Sequence, residues 1–249
     1  MQSLFYKTMY STLIIPDIHH RTDWINPFLK SQKFDELVFL GDFFDDFNDG
    51  PYISTKTALW VKDAFNRYPK AHFLFGNHDI SYAFPLNKYL RCSGFTEQRS
   101  IAINKVLNKE DWNRFKLCHY TQGFLCSHAG ISGDYFPAGI IPNLPDIDKL
   151  CSAALLMTSV YAYCEFLDAG RERGGSAKVG GITWLDWRVF VPLKGFNQIV
   201  GHTPGRMVRS LNIEGSENYC IDTHSHDVGI IEDGKFRSES LENYGLKGK

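Results

Sequence analysis

The sequence predicts an α/β fold that begins with parallel strands and ends with a second sheet. Three observations carry this. β-Branched and aromatic runs alternate with helical segments over positions 12–75, short polar signatures stand where those runs stop, and strand-like runs recur from position 198 onward. With 249 residues, 43% of them hydrophobic, the chain is long enough for one large core, so a single domain over 1–249 is expected.

Taken in order, the pattern predicts a strand at 12–16, a helix at 23–31, a strand at 36–40, a helix at 54–68 and a strand at 71–75. Such a βαβαβ succession implies parallel strands with right-handed crossovers. Within 54–68, Ala58, Val61, Ala64 and Phe65 recur at helical spacing and give one apolar face; Ser54 is the expected cap and Pro69 the expected stop. Positions 85–112 are polar and helical, broken at Ser93-Gly94, and are expected to form a helical lid or outer layer. Strands at 115–120 and 123–127 are joined by Thr121-Gln122 in hairpin fashion.

A proline-bearing loop at 133–145 precedes a long apolar helix starting near Asp146 or Asp148. Its 150–167 stretch holds Ser152, Thr158, Ser159, Tyr161 and Glu165, and falls short of the ~20 apolar residues of a membrane span, so it reads as buried helix. The glycine-rich 170–181 segment reads as a flexible loop. Short strands are expected at 198–200, 219–222, 228–231 and 235–238, and 238–249 reads as a polar, frayed tail.

Charge and cysteine usage narrow the function. A net charge of −1 gives no electrostatic footprint for long nucleic acid or an anionic membrane, while a small anionic substrate held through metals stays compatible. The six cysteines, Cys92, Cys118, Cys126, Cys151, Cys164 and Cys220, form no C-x-x-C pair and no regular spacing. A reducing, cytoplasmic setting is therefore expected, and the N-terminus shows no secretory pattern.

The chemistry lies in five signatures: Asp17-Ile18-His19, Gly41-Asp42-Phe43-Phe44-Asp45, Gly76-Asn77-His78-Asp79, Ser127-His128-Ala129-Gly130 and Gly201-His202-Thr203. Runs such as Leu13-Ile14-Ile15, Leu37-Val38-Phe39-Leu40 and Phe73-Leu74-Phe75 precede them, so oxygen and imidazole ligands arrive at one sheet edge, where open α/β sheets bind ligands. A pair of divalent cations needs a bridging carboxylate, outer ligands and open positions. Asp17 and His19 share one face of an extended segment and can grip one ion together. Asp42 is the natural bridge, and Asn77, His128 and His202 complete the second ion. Any one fragment alone is a routine turn or cap; their joint order is what points to a metal site.

These motifs, in this order, resemble the calcineurin-like metallophosphoesterase superfamily, and within it the branch of phosphoprotein phosphatases and symmetrical diadenosine tetraphosphatases, over positions 17–222. The resemblance implies a sandwich of two mixed sheets flanked by helices. It also implies that Asp17, His19 and Asp42 hold a first metal and Asp42, Asn77, His128 and His202 a second. In the same pattern His78 protonates the leaving oxygen or stabilises the transition state, and Asp45 orients it. A hydroxide made acidic by both ions can attack phosphorus in line, and a histidine held by a carboxylate is suited to donate a proton near neutral pH. Ligands without thiolate suit manganese, iron, zinc or nickel, with manganese first.

Departures from the family pattern matter too. Pro16 and His20 replace the glycines that commonly flank D-x-H, and His20 can narrow the site or add a phosphate contact. Asp46 stands where the family commonly has arginine. Arg188 and Arg206 are the candidates to hold phosphate instead, since arginine binds phosphate bidentately. His224 falls where the polyphosphatase side usually has glycine. Asp79 reads as cap or support, and Trp184 and Trp187 as packing residues.

The expected function is a dinuclear metal-dependent phosphomonoesterase acting on a phosphorylated small molecule, nucleotide or phosphoprotein, phosphoserine and phosphothreonine included. Hydrolysis of dinucleoside polyphosphates is the nearest alternative, and an inactive scaffold of the same fold the next.

Overall fold

The computed structural model describes residues 10–46, 49–137, 139–213 and 215–246. Strands β1 (Ser11–Ile15), β2 (Glu36–Phe39) and β3 (His72–Leu74) run parallel and are joined by α1 (Ile25–Ser31) and α2 (Pro51–Arg67). α3 (Asn77–Ala83) leaves the end of β3, and α4 (Glu97–Asn104) and α5 (Lys109–Trp112) precede β4 (Phe115–Lys116), which pairs with β3. The hairpin of β5 (Cys118–Thr121) and β6 (Phe124–Ser127) opens a second sheet, and α6 (Leu144–Ser159) comes after it in the chain.

That sheet is completed by β7 (Asn197–Val200), β8 (Arg209–Ser210) and β9 (Asn218–Cys220) in the order β5-β6-β7-β9-β8. The chain then returns through β10 (Asp227–Glu232) and β11 (Lys235–Ser240), giving the first sheet the order β11-β10-β1-β2-β3-β4. The fold is thus α/β with two mixed sheets flanked by helices, as the sequence predicts.

Side-chain alternation explains why the strand runs are apolar throughout. Leu13, Ile15, Leu37, Phe39 and Phe73 pack toward the helices, whereas Ile14, Val38, Leu40 and Leu74 meet Phe124, Cys126, Ile199 and Ile221 between the sheets. Both faces are buried, so neither can be polar. Aromatic rings fill the helix side: Phe39 stacks on Phe73 at 5.0 Å, and Phe65 meets Phe73 edge-on at 4.6 Å. Such pairs add to the area they bury, which makes β2 and β3 a stiff platform for the polar loops at their ends.

Four local expectations are corrected. α2 starts at Pro51, not Ser54, because proline's fixed φ suits the first helical position; Gly50 takes the cap and Ser54 is buried inside the helix. α6 starts at Leu144, where Asn143 and Asp146 form a reciprocal capping box, and ends at Ser159, well before position 167. The 170–181 loop is braced by a short turn at Arg171–Arg173 and a bridge between Gly170 and Ala177. The polar tail is in large part built into the fold. β11 pairs with β10 as far as Ser240, Leu241 is buried, and the Tyr244 ring meets Phe28 at 5.1 Å; residues 247–249 lie outside the described residues.

The 85–112 segment forms an outer layer against α2 and α3 and sends Ile103, Leu107 and Trp112 into the core. Among the described residues, no helix is long and apolar enough to cross a membrane.

Candidate metal centre

The five signatures leave the ends of parallel strands at one edge: Asp17 after β1, Asp42 after β2, Asn77 after β3, His128 after β6 and His202 after β7. All five of these residues are buried. The close approach is possible because two neighbours are glycines. A Cβ on Gly76 would lie 2.0 Å from Asp42 Oδ1, and one on Gly201 would lie 2.0 Å from Asp17 Oδ1. Backbone strain concentrates here as well, with positive φ at His19 (44°), Asp42 (48°), Asp45 (65°) and His202 (65°).

Asp42 is the hub. Its Oδ2 lies 3.8 Å from His19 Nε2 and 3.4 Å from His128 Nε2, while its Oδ1 accepts the His78 backbone N–H at 3.1 Å. It belongs to two candidate ligand groups, Asp17 with His19 and Asp42, and Asp42 with His128 and His202; within each, the ligand atoms lie within 4.8 Å of one another. His19 is aimed by Nδ1 donating to the Asp45 backbone O at 2.7 Å, and His128 by Nδ1 donating to Leu40 O at 3.0 Å. Each therefore presents Nε2 to the centre, as ligating histidines do. Asp17 is pinned by the His202 backbone N–H, 3.0 Å from both of its oxygens.

Electrostatics show that this donor set fits a cation. Asn77 Oδ1 at 3.0 Å and His202 Nδ1 at 3.1 Å converge on His128 Nε2 together with Asp42 Oδ2. Electron-pair donors facing one another repel unless positive charge sits among them. Burial alone would lower His128, yet Asp42 and Asp17 push it up to about 9, so that without metal a proton takes that place. Burial, opposed by His128 and aided by Asp42, raises Asp17 to about 6. For Asp42 itself burial acts upward, but His128, His78 and His19 around it hold the carboxyl well below the usual carboxylate range. Burial and then the neighbouring His128 lower His202, and its Nε2 has no hydrogen-bond partner among the described residues.

His78 and Asp45 form a second constellation at the rim. His78 Nδ1 lies 3.0 Å from Asp45 Oδ2, and Asp45 Oδ1 accepts from Tyr82 Oη at 2.6 Å and Arg99 Nη1 at 3.1 Å. Burial disfavours the His78 imidazolium, but the Asp42 charge and the Asp45 bond outweigh it and raise the group well above 6.5. Asp79 is support: its two oxygens accept the Phe43 N–H at 2.9 Å and the Gly76 N–H at 3.0 Å, tying two motif loops together. Burial, reinforced by Asp42, raises it to about 7.

The three expected phosphate contacts lie elsewhere than the sequence suggests. His20 turns inward: its Nδ1 lies 2.8 Å from Thr57 Oγ1, and its Nε2 accepts the Asp45 N–H at 3.0 Å. Arg188 is held by Asp186 through two bonds of 2.9 Å, and Arg206 is exposed; neither lines the pocket over the centre. The cation that does line it is Arg21, beside His19, His78, Asp46, Asp222 and His224. Its Nη1 donates to His224 O at 2.8 Å, and its buried Nε has no hydrogen-bond partner among the described residues. Its one signal in the sequence is its place two residues past His19. Trp184 packs edge-on against His202 at 5.6 Å and Trp187 stacks on Phe190 at 4.8 Å, in keeping with packing roles.

Comparison with known proteins accords with this geometry. The model of the calcineurin-like phosphoesterase family matches residues 10–157, more than half of the chain. The chain belongs to that family, and is a metal-dependent phosphoric ester hydrolase. Among solved structures it is similar to a cold-active protein-tyrosine phosphatase of the psychrophile Shewanella sp., with 18% identity over 92% of this chain and 80% of that one, at a TM-score of 0.51. A further structure titled cold-active protein tyrosine phosphatase matches with 18% identity over 92% and 78%, at 0.53. A protein serine/threonine phosphatase from Saccharomyces cerevisiae matches with 16% identity over 93% and 79%, at 0.49. No curated protein matches by sequence.

Proposed function

We propose that this protein hydrolyses phosphomonoesters at a dinuclear metal centre in which Asp17, His19 and Asp42 hold one ion and Asp42, Asn77, His128 and His202 the other. The observation that carries the reading is Asp42, which is shared by both ligand groups. Held by these residues, a pair of divalent ions would supply water of lowered pKa and positive charge to offset that of the phosphoryl oxygens. The ligands are oxygen and imidazole without thiolate, a set that suits manganese, iron, zinc or nickel, and manganese is the first candidate.

The protein's own groups do the rest. His78 engages Asp45 through Nδ1, which leaves Nε2 as the atom that donates a proton to the leaving oxygen. Asp45 keeps that ring charged and oriented. Arg21 holds the phosphate from the mouth of the pocket, in place of the arginine missing at position 46. Asp46 and Asp222 line the same pocket and oppose a long polyanion, which favours a monoester over a dinucleoside polyphosphate. The six cysteines form no C-x-x-C pair and no regular disulfide spacing, which supports a reducing, cytoplasmic setting.

The test is a substrate panel. Metal-stripped protein reloaded with manganese, nickel, zinc or magnesium is assayed on p-nitrophenyl phosphate, a phosphopeptide and diadenosine tetraphosphate. Turnover of the monoesters above the tetraphosphate is expected; the reverse order overturns the substrate assignment. His78→Asn should lower kcat about 10²- to 10⁴-fold with metal content unchanged, and loss of the metals would show that His78 is a ligand instead.

A further inference from the structure

A second cluster of metal-ligating side chains lies away from this centre, at the opposite ends of the strands. Glu36 opens β2, His72 opens β3, and His119 lies in β5 of the other sheet. His72 Nε2 and His119 Nε2 lie 3.0 and 2.8 Å from the same oxygen, Glu36 Oε1. Their rings stack face to face, with centroids 3.5 Å apart and planes 13° apart. The three ligand atoms all lie within 4.8 Å of one another.

The surroundings hold these groups in place. Glu36 Oε2 accepts the Thr12 hydroxyl at 2.9 Å and also the Thr121 hydroxyl, so the carboxylate is fixed from behind with Oε1 turned to the two imidazoles. That is the outer support that ligating carboxylates carry. A surface depression lined by Tyr10, Asp35 and Lys70 opens onto Glu36 and His72 and gives an ion a way in. None of these residues lines the pocket over the candidate centre, so the phosphoesterase chemistry leaves the cluster unexplained.

We propose that Glu36, His72 and His119 form a separate zinc site that clips the first sheet to the second. Two imidazoles and one carboxylate are a known zinc donor set that leaves a fourth position for water. An ion ~2.1 Å from each ligand in tetrahedral geometry spaces its donors by about 3.4 Å. Spacing alone does not admit it: the two rings, stacked with planes 13° apart, must also turn out of their stack so that both Nε2 lone pairs converge on the ion. Because the ligands come from β2, β3 and β5, the ion ties together strands that share no ladder across the sheets.

The experiment measures zinc equivalents on full-length protein, stripped with chelator and reloaded with zinc. His72→Asn/His119→Asn should bind one equivalent fewer than the unaltered protein, with kcat on p-nitrophenyl phosphate unchanged. Asp42→Asn, which disrupts the other centre, should still bind this ion and still gain melting temperature with zinc. Thr121→Val, which keeps every ligand, should weaken the zinc affinity of this site ~10- to 100-fold. Equal zinc content in the unaltered and doubly substituted proteins overturns the proposal, as does an unchanged affinity in Thr121→Val. In either case the cluster is a hydrogen-bonded network alone.

Discussion

Asp45→Asn removes one charge from a buried junction of three partners, and its consequences divide cleanly into stability and catalysis. The Asp45 and Arg99 side chains are 2% and 8% exposed, and their atoms lie 3.1 Å apart. Removing one partner of a buried pair leaves an uncompensated charge, at a cost of about 3–5 kcal/mol. Arg99 keeps one acceptor, Gly94 O at 2.9 Å, so the lower end is expected. For a domain of this size about 1 kcal/mol shifts Tm by roughly 2–4 °C, which makes the expected drop about 6–12 °C.

The catalytic consequence runs through His78. Without the carboxylate at Nδ1 the imidazolium loses a stabilising charge, so its pKa falls and the alkaline limb of kcat moves to lower pH. At neutral pH kcat should fall about 10²- to 10⁴-fold, the range for loss of a general acid. Thermal melts, metal content and a kcat-pH profile on p-nitrophenyl phosphate check this together. A variant that melts early yet keeps its kcat and its pH profile refutes the positioning role and leaves Asp45 as a purely structural anchor for Arg99.

Three further outcomes are expected. Gly76→Ala forces a Cβ to within 2.0 Å of Asp42 Oδ1, so metal content and kcat should both fall, kcat by about 10²-fold for an ångström-scale misplacement; full metal loading would show that the Asp42 loop yields freely. Arg21→Met should raise KM roughly 10- to 100-fold, the worth of a charged hydrogen bond, while leaving metal content intact and weakening inhibition by inorganic phosphate in parallel; an unchanged KM would remove Arg21 from the phosphate site. The third concerns pH. Burial raises Asp17 and Asp222 to about 6 and Asp79 to about 7, from 3.8. Raised folded pKa values favour the neutral forms, so in stripped protein their stabilisation is complete below about pH 4 and is lost as pH rises through 6 to 7. Cations offset that charge, so the Tm gap between loaded and stripped protein should widen over this window, and a constant gap would contradict the assignment.

Legibility in the sequence depends on where each residue sits. A ligand placed directly after a buried strand inherits its position from the strand, which is why Asp17, Asp42, Asn77, His128 and His202 are readable as one group from pattern alone. Residues beyond the first turn lose that register. His19 and His20 both adopt positive φ, 44° and 65°, which reverses the chain there; His20 is carried under the loop to Thr57 and Arg21 over the pocket. Nothing in residue type announces that reversal. Arg188 departs from expectation for a different reason: a nearby carboxylate, Asp186, takes its guanidinium in a bidentate pair, and such local competition is invisible in spacing. Similarly, Leu241, Tyr244 and Leu246 are scattered apolar groups in a polar stretch, yet they seat the turn after β11 on the core.

The strand-end rule that makes the five candidate ligands readable reaches one residue further. β9 runs parallel to β7, and Asp222 lies just past its end on the same edge as His202. Asp222 is buried, lines the pocket with Arg21, and accepts the His224 N–H at 3.2 Å, while Arg21 holds the His224 carbonyl at 2.8 Å. The two charged groups thus grip one residue between them instead of each other. A guanidinium held over the pocket by a carbonyl, with its charge balanced nearby, would meet a phosphate already in place, and that pre-set geometry lowers the ordering cost of binding. The candidate centre therefore draws on the ends of both sheets, with β1, β2, β3, β6 and β7 followed by the candidate metal ligands and β9 by a carboxylate that braces the residue to which Arg21 donates.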